Sequence, residues 1–399
     1  MISPPRFGRT VTAVLLVALL TPVTAGPELR FKHHFIDRDL PGDSYGQTSL
    51  VDVDRDGDLD FITGGKDPQK HIFWFERRSA DEWVRHILGE NHPSDVGGTA
   101  IDVDGDGWVD HVSGGVWYRN PKTPRDKPFE RFAFDKDLSA VHDLVAADVD
   151  GDGRLDVVTM SDRNNTRWYS IPRDDPTRPW VRHDIGPGVH AGVAVGDIDG
   201  DGDLDVARSN LWFENVDGKG AKWAQHPIPF GNPNQPYPLA TRCVIVDIDR
   251  DGRRDLVMTE NEIRAGHIAW LRNADGKGLR WERHDLPAGD TAARGAYHSL
   301  AVADFDGDGD PDIFTVEMEH IAGDRRPRWF IWENTDGKGS AFVERVILDN
   351  GLGGHEAVAA DVDGDGDIDI CAKLWEPRKD NANGGRNHAD FVENLAVSK

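Results

Sequence analysis

Short apolar stretches recur along the whole chain and are separated by polar turns rich in Asp and Gly. Residues 144–147 and 157–160 flank one such turn; both are apolar and too short for helices, so they predict buried β-strands. An aromatic stretch such as 72–75 and a more polar one such as 83–86 complete the unit. The unit recurs about every 50 residues, which is typical of the four-stranded blade of a β-propeller.

The turn between the two apolar strands follows the pattern D-x-D-x-D-G-x-x-D, which occurs seven times with every aspartate and the glycine intact. The aspartates are Asp52, Asp54, Asp56 and Asp60; Asp102, Asp104, Asp106 and Asp110; Asp148, Asp150, Asp152 and Asp156; Asp197, Asp199, Asp201 and Asp205; Asp247, Asp249, Asp251 and Asp255; Asp304, Asp306, Asp308 and Asp312; and Asp361, Asp363, Asp365 and Asp369. We call these segments the acidic turns.

The spacing of the acidic turns indicates calcium binding. Alternating carboxylates in a tight turn point into one concavity, and Gly at the sixth position allows the positive φ that the turn requires. Six or seven oxygen ligands at about 2.4 Å suit Ca²⁺ better than Mg²⁺ or Zn²⁺. We expect the aspartates at positions one, three, five and nine, with the carbonyl of position seven, to hold about seven structural calcium ions.

An EF-hand opens with the same spacing, but it needs a bidentate Glu at position twelve and flanking helices. Position twelve is never acidic here, and the flanking stretches are predicted strands. The residues at position twelve are Thr63, Ser113, Thr159, Arg208, Met258, Thr315 and Ala372. The acidic turns are therefore expected to join β-strands.

The formal net charge of −25 argues against nucleic acid as a partner. The 13 Trp and 16 Phe residues argue against disorder. Without Arg6 and Arg9, which precede the expected mature chain, the charge is −27, and seven Ca²⁺ ions would bring it to −13. Most of the acidic surplus is thus explained by metal ligands, and folding should depend on calcium.

The N-terminus predicts export. Arg6 and Arg9 precede an apolar run over 11–20, and small residues follow at 23–25, so residues 1–25 are expected to be a signal peptide. The mature chain, 26–399, is expected to be a single domain that is secreted or periplasmic and has no membrane span. Its two cysteines, Cys243 and Cys371, are expected to be buried thiols.

The last repeat ends after residues 391–394 without a fourth strand, whereas residues 31–36 resemble the outer strand of the other repeats. We expect this N-terminal strand to complete the last blade and close the ring, which removes exposed sheet edges. The predicted fold is an all-β, seven-bladed propeller of four-stranded blades.

The acidic turns and their flanking strands resemble the FG-GAP/VCBS repeat family, which includes the propeller heads of integrin α chains. The resemblance covers about residues 29–395 and implies the propeller fold and its calcium sites. It implies little about function, because this fold serves adhesion, catalysis and scaffolding alike. In architecture and strand sequence, the chain is also similar to the propeller of aldos-2-ulose dehydratase.

Four histidines stand just before the first strands of their repeats, where a propeller places the mouth of its central channel: His142, His190, His298 and His355. We expect them to converge there in solvent-reachable positions, with Arg242, Tyr237 and Lys373 as further catalytic candidates. The alternative is a packing role. That role is expected for four other histidines, each of which follows a Trp by three residues in the outer strand: His86, His183, His226 and His284. Other candidates for the rim are Tyr45, Arg208, Asn210, Glu260, Glu262, Glu317, Glu319, His320 and Trp375.

This mouth suggests a carbohydrate-active enzyme that performs elimination, dehydration or lyase chemistry. One transition metal held by histidines would polarise a carbonyl or carboxylate while His, Tyr or Lys removes the adjacent proton. The alternative is a non-catalytic module that binds glycans or cell-surface proteins. No stalk, anchor or sorting sequence is recognisable, which favours the enzyme.

Overall fold

A computed structural model describes residues 29–161, 164–289, 294–319 and 326–396. These residues form 28 β-strands arranged as seven four-stranded sheets, each antiparallel throughout. Every sheet is one blade, and all seven blades are present, as the sequence predicts. Blade numbers below follow the order of the acidic turns along the chain.

Blades 1 to 4 take their strands in sequence order. The strands are β2 (Tyr45–Val51), β3 (Asp60–Gly65), β4 (Ile72–Ser79) and β5 (Glu82–Gly89); β6 (Thr99–Ile101), β7 (Asp110–Ser113), β8 (Val116–Arg119) and β9 (Glu130–Ala133); β10 (Asp143–Ala147), β11 (Asp156–Ser161), β12 (Asn164–Ser170) and β13 (Val181–Gly186); and β14 (Val193–Gly196), β15 (Asp205–Arg208), β16 (Leu211–Asn215) and β17 (Trp223–Pro227).

Blades 5 and 6 repeat this order, and blade 7 borrows the first strand of the chain. The strands are β18 (Thr241–Val246), β19 (Asp255–Glu260), β20 (Ile268–Asn273) and β21 (Trp281–Asp285); β22 (Tyr297–Ala303), β23 (Asp312–Glu317), β24 (Trp329–Asn334) and β25 (Phe342–Leu348); and β26 (Glu356–Ala360), β27 (Asp369–Lys373), β28 (Ala389–Asn394) and β1 (Phe31–Asp37).

The ring closes as predicted. Strand β1 pairs with β28 in antiparallel register, with Phe31 opposite Asn394 and His34 opposite Phe391. The first strand of each blade contacts the first strand of the next, and β26 contacts β2. The first strands therefore surround a central channel, and the N-terminal strand ties the two ends of the chain together.

The hydrophobic core lies between blades rather than within one layer. Second strands such as β3 are buried along their whole length because neighbouring blades cover both of their faces. In outer strands such as β5, most side chains are exposed or half-buried. Phe61 and Phe75 of blade 1, for example, share a cluster with Phe391 of blade 7. Cys243 and Cys371 are buried free thiols, as predicted.

The outer-strand histidines pack as expected. Each stacks on the Trp of the neighbouring third strand, with ring centroids 3.9–4.5 Å apart. The pairs are His86 with Trp74, His183 with Trp168, His226 with Trp212 and His284 with Trp270. These histidines are part of the packing and do not contribute to the channel.

Asparagines at the ends of third strands connect neighbouring blades, which the sequence reasoning missed. Each Nδ2 donates to the carbonyl of the second residue of the preceding blade's acidic turn, at 2.8–3.4 Å. The pairs are Asn120 with Val53, Asn215 with Val149, Asn273 with Ile198, Asn334 with Ile248 and Asn394 with Phe305. The recurrence of Asn after the aromatic strand was the available signal.

Replacing one of these asparagines should destabilise the ring measurably. Asn273 donates to Ile198 and Arg254 and accepts from Gly278, all within 2.9–3.1 Å. We expect Asn273→Ala to lower the free energy of unfolding by about 2–3 kcal/mol, since each buried hydrogen bond contributes about 1 kcal/mol. Urea denaturation in saturating calcium measures it, with exposed Asn234→Ala as the control. If Asn273→Ala lowers the free energy of unfolding no more than Asn234→Ala does, the hydrogen bonds of Asn273 between blades are dispensable.

The predicted signal peptide lies outside the described residues. Within the described ranges, no helix has the length and apolar character needed to cross a membrane.

Candidate functional site

The acidic turns connect the first and second strands of each blade, and no helix flanks them within the described residues. The prediction of strand-joining turns is therefore confirmed, and the EF-hand alternative is excluded. The sixth-position glycines have positive φ, as in Gly57 at 99°. A Cβ on Gly57 would meet no atom within 4 Å, so backbone conformation, not space, requires glycine at this position.

The geometry of the acidic turns suits a cation. One oxygen each from Asp52, Asp54 and Asp60 lies within 4.8 Å of the others, and the same holds for the corresponding aspartates of blades 2 and 3. The first aspartate also accepts the N–H of the sixth residue, as Asp52 does from Gly57 at 3.1 Å. The turns are thus closed around their carboxylates, and these groups could bind ions such as calcium.

The ninth aspartates are buried and crowded by like charges. Asp60 accepts N–H groups of Val53 and Arg77, each at 3.0 Å, and is fully buried. Burial, together with Asp54 and Asp56, raises its pKa to about 8, although both backbone hydrogen bonds oppose this. A bound cation would relieve this repulsion, so the residues present fit the calcium that the sequence predicts.

Arginines neutralise part of the acidic turns, which the sequence reasoning did not consider. The Arg125 guanidinium lies 2.6 Å from Asp54 and 2.7 Å from Asp56, and Arg272 contacts Asp249 and Asp251 at 2.5 and 2.7 Å. The seven turns therefore differ in their local charge.

The histidines meet at the opposite end of the first strands. Ring centroids of His142 and His190 are 4.6 Å apart, those of His142 and His298 are 5.7 Å apart, and those of His298 and His355 are 3.8 Å apart. His142, His190 and His355 line a cavity of about 310 Å³, which we call the mouth cavity, and His298 lies behind them. Its lining comprises Lys66, Asp95, Val96, Ala140, His142, His190, Tyr237, Glu262, Met318, His355 and Trp375.

The expected solvent exposure of the histidines was wrong for three of the four. His142, His298 and His355 are at most 2% exposed, and only His190 is half-buried. The inner strands converge so closely that each imidazole is covered by its neighbours. Substituting His298 or His355 would therefore affect folding as well as any chemistry.

Three side chains of the mouth cavity form a candidate metal site. Ligand atoms of His142, His190 and Glu262 all lie within 4.8 Å of one another. His142 Nδ1 is 3.0 Å from Asp143 Oδ2, so Nδ1–H donates to that carboxylate and Nε2 keeps its lone pair. A carboxylate behind a histidine in this way orients it for metal binding. His190 stacks on Tyr237, with ring centroids 4.3 Å apart.

Below the mouth cavity, Arg242 crosses the central channel. Its guanidinium donates to Asp143 at 2.7 Å and to the His298 carbonyl at 2.9 Å, and it lies 3.6 Å from Glu356. Burial alone would raise the pKa of the Asp143 carboxyl, but Arg242 and His142 hold it well below its usual range. The channel continues beyond Arg242 as a cavity of about 530 Å³. Arg242 therefore does not line the mouth cavity; it is an electrostatic and structural residue of the channel.

His298 and His355 continue the network towards blade 7. His298 Nδ1–H donates to the His355 carbonyl at 2.6 Å, and its Nε2 is 3.1 Å from Glu262. His355 Nδ1 is 2.9 Å from Lys373 Nζ, and Lys373 also donates to the Tyr45 carbonyl. Burial, Arg242 and neighbouring cations keep the pKa of His298 well below its ordinary value.

Several rim candidates lie in local pairs instead of at the mouth cavity. Glu260 pairs with His267 at 2.8 Å, Glu317 with Arg328 at 3.5 Å, and Arg208 donates to Asn210 at 2.9 Å. His320 lies outside the described residues.

The sequence reasoning missed four charged residues of the mouth and channel: Lys66, Asp95, Asp143 and Glu356. Lys66 and Asp95 form an ion pair, and Lys66 Nζ lies 4.2 Å from the centre of the Trp375 ring. Asp143 and Glu356 directly follow His142 and His355 in sequence. That acid-after-histidine spacing was a usable signal, because it places an acidic residue at the start of the first strand, beside the channel.

The FG-GAP-like repeat family matches residues 148–208, 247–315 and 320–372. Two crystal structures of BBS1N in complex with ARL6DN, soaked with mercury and with lead, are similar in fold, with TM-scores of 0.53 and 0.51. Each comparison covers 90% of this chain and 97% of the other at 10% identity, which establishes likeness of fold alone. No curated protein matches the chain in sequence.

Proposed function

This chain is a seven-bladed β-propeller of FG-GAP-like repeats, and from that premise we propose that it is an exported, calcium-stabilised enzyme. Its substrate is a carbohydrate, which undergoes elimination or dehydration in the mouth cavity with the help of one transition metal. The calcium ions in the acidic turns serve the fold, and the chemistry takes place at the other end of the first strands.

The observation that carries this proposal is the cluster of His142, His190 and Glu262 in the wall of the mouth cavity. Two imidazoles and one carboxylate suit zinc or another first-row transition metal, and three protein ligands leave a position for substrate. Such a metal, when bound, supplies Lewis-acid polarisation of a substrate carbonyl or carboxylate. The protein's own contribution is to hold these ligands and to exclude bulk water from the buried histidines.

The rest of the cavity supports a small polar substrate. Its volume of about 310 Å³ is at the lower end of the roughly 300–1,000 Å³ typical of small-molecule sites. Trp375 and the 47%-exposed Tyr237 offer aromatic faces, and the Lys66–Asp95 pair offers hydrogen-bonding groups. Aromatic faces beside polar groups are suited to a sugar ring, which has apolar C–H faces and hydroxyl edges.

Two measurements test the proposal. We expect Co²⁺ to bind at one site per chain in calcium-saturated protein, with visible d–d absorption that Glu262→Gln abolishes. We expect the metal-loaded protein to form an ultraviolet-absorbing unsaturated product from at least one polysaccharide or keto-sugar. If sugars bind without turnover and no transition metal binds, the protein is a glycan-binding module instead, and the enzymatic proposal is wrong.

A further inference from the structure

We propose that His355, backed by Lys373, is the proton-transfer residue of the mouth cavity. It takes the proton from the carbon beside the substrate carbonyl and returns it to the departing hydroxyl. This inference rests on the proposed function and assigns its acid and base to one pair of side chains.

The position of His355 supports this role. It lines the mouth cavity, with its ring 4.9 Å from that of Trp375, while its Nδ1 lies 2.9 Å from Lys373 Nζ on the protein side. Nε2 is therefore the ring nitrogen left for a ligand in the cavity. Lys373 is fully buried, does not line the cavity and contacts His355, so it acts as a positioning residue.

The surroundings of Lys373 accommodate both of its protonation states. As an ammonium it can donate to the Tyr45 carbonyl, to His355 Nδ1 and towards Glu356, whose Oε2 is 3.8 Å away. As an amine it keeps two donors and offers its lone pair to a proton on His355 Nδ1. In either state the hydrogen bond between Lys373 Nζ and His355 Nδ1 is kept, and Nε2 faces the cavity.

Electrostatics balance the two states. Burial lowers the pKa of Lys373 to about 7, Glu356 and Glu319 oppose this, and Arg242 and Lys66 add to the lowering. His298, which stacks on His355, is not among the groups that raise the pKa of Lys373. Burial, His298 and Lys373 keep the pKa of His355 well below its ordinary value, so its imidazole is neutral and Lys373 is the member of the pair that titrates near neutrality.

The proton balance is closed within the pair. In the resting state the Lys373 amine accepts from His355 Nδ1–H, and Nε2 has a free lone pair. Nε2 takes the carbon-bound proton while Nδ1–H passes to Lys373, and the C–H electron pair becomes the new C=C bond as the C–O bond breaks. Lys373 then returns its proton to Nδ1, Nε2–H protonates the departing oxygen, and water leaves.

Two substitutions of Lys373 test this relay against a structural role. Because the reactive state is the amine, wild-type kcat should fall as the pH drops below about 7. Lys373→Met should lower kcat about 10²–10³-fold and remove that limb of the pH profile, since general acid–base transfer contributes about 10²–10⁴-fold. Lys373→Arg, which stays protonated, should be inactive from pH 5 to 9. The control His284→Ala, which removes an outer-strand imidazole away from the channel, should keep the limb near pH 7.

A readout without turnover separates this inference from the proposed function. Nitrogen NMR of the calcium-saturated protein should show His355 changing tautomer as Lys373 titrates near pH 7, with or without an identified substrate. Lys373 remaining charged to pH 10, or an unchanged pH limb in Lys373→Met, would overturn the relay. A missing d–d spectrum with an intact tautomer switch would instead count against the metal site alone.

Discussion

Removal of calcium is expected to unfold this protein near room temperature. A site filled at about 100 times its Kd stabilises the folded state by about 2.7 kcal/mol, so seven such sites together exceed the roughly 5–15 kcal/mol of a typical fold. Chelation also leaves buried carboxylates such as Asp60 beside Asp52 and Asp54 without a counter-ion. We expect EGTA to lower the Tm by tens of degrees, as followed by circular dichroism.

Added Ca²⁺ should restore the Tm, whereas equal Mg²⁺ should restore little of it, because Mg²⁺ is smaller and demands octahedral geometry. A Tm shift of less than about 3 °C, corresponding to about 2 kcal/mol for a domain of this size, would mean that the acidic turns fold without bound metal.

Removing both candidate histidine ligands is expected to abolish turnover while leaving calcium binding by the acidic turns intact, with a lower Tm because His142 is buried. His142→Ala combined with His190→Ala deletes two of the three ligands. Lewis-acid polarisation is worth several kcal/mol, and each 1.36 kcal/mol is tenfold in rate, so kcat should fall by about 10³-fold or more. Steady-state kinetics on the substrate found by screening measures this loss.

The matched control for this pair is His284→Ala, which removes an imidazole that only stacks on Trp270. It should lower the Tm slightly and leave kcat unchanged. Equal losses of kcat in the control and in the double variant would show that the channel histidines act through stability. His298 and His355 are poorer targets for this comparison, because neither belongs to the candidate metal site of His142, His190 and Glu262.

The fold was predictable from the sequence because its determinants are local and repeated. The acidic turn, the apolar strands on either side and the Trp-to-His spacing each recur in several blades, so chance matches are excluded. Ring closure followed from counting strands at the two ends, and β1 pairs with β28 as expected. Stacking of His86 on Trp74 was equally local, since both residues lie in adjacent strands.

The mouth cavity was less predictable because it is assembled from single positions in different blades. The histidines share one position in the repeat, so the sequence predicts that they meet at the channel. Their burial was not predictable, because it depends on how closely the first strands approach one another. Lys66 and Asp95 come from blades 1 and 2, and only their three-dimensional proximity identifies them as a pair. No periodic signal marks such residues.

The division between structural calcium and a separate metal in the mouth cavity is tested most directly by element-resolved mass spectrometry of the purified protein. We predict about seven calcium ions per chain in the wild type and in the His142→Ala/His190→Ala variant, with one transition-metal ion in the wild type alone. A protein that retains no calcium after gel filtration, or a double variant that keeps its transition metal, would contradict the account.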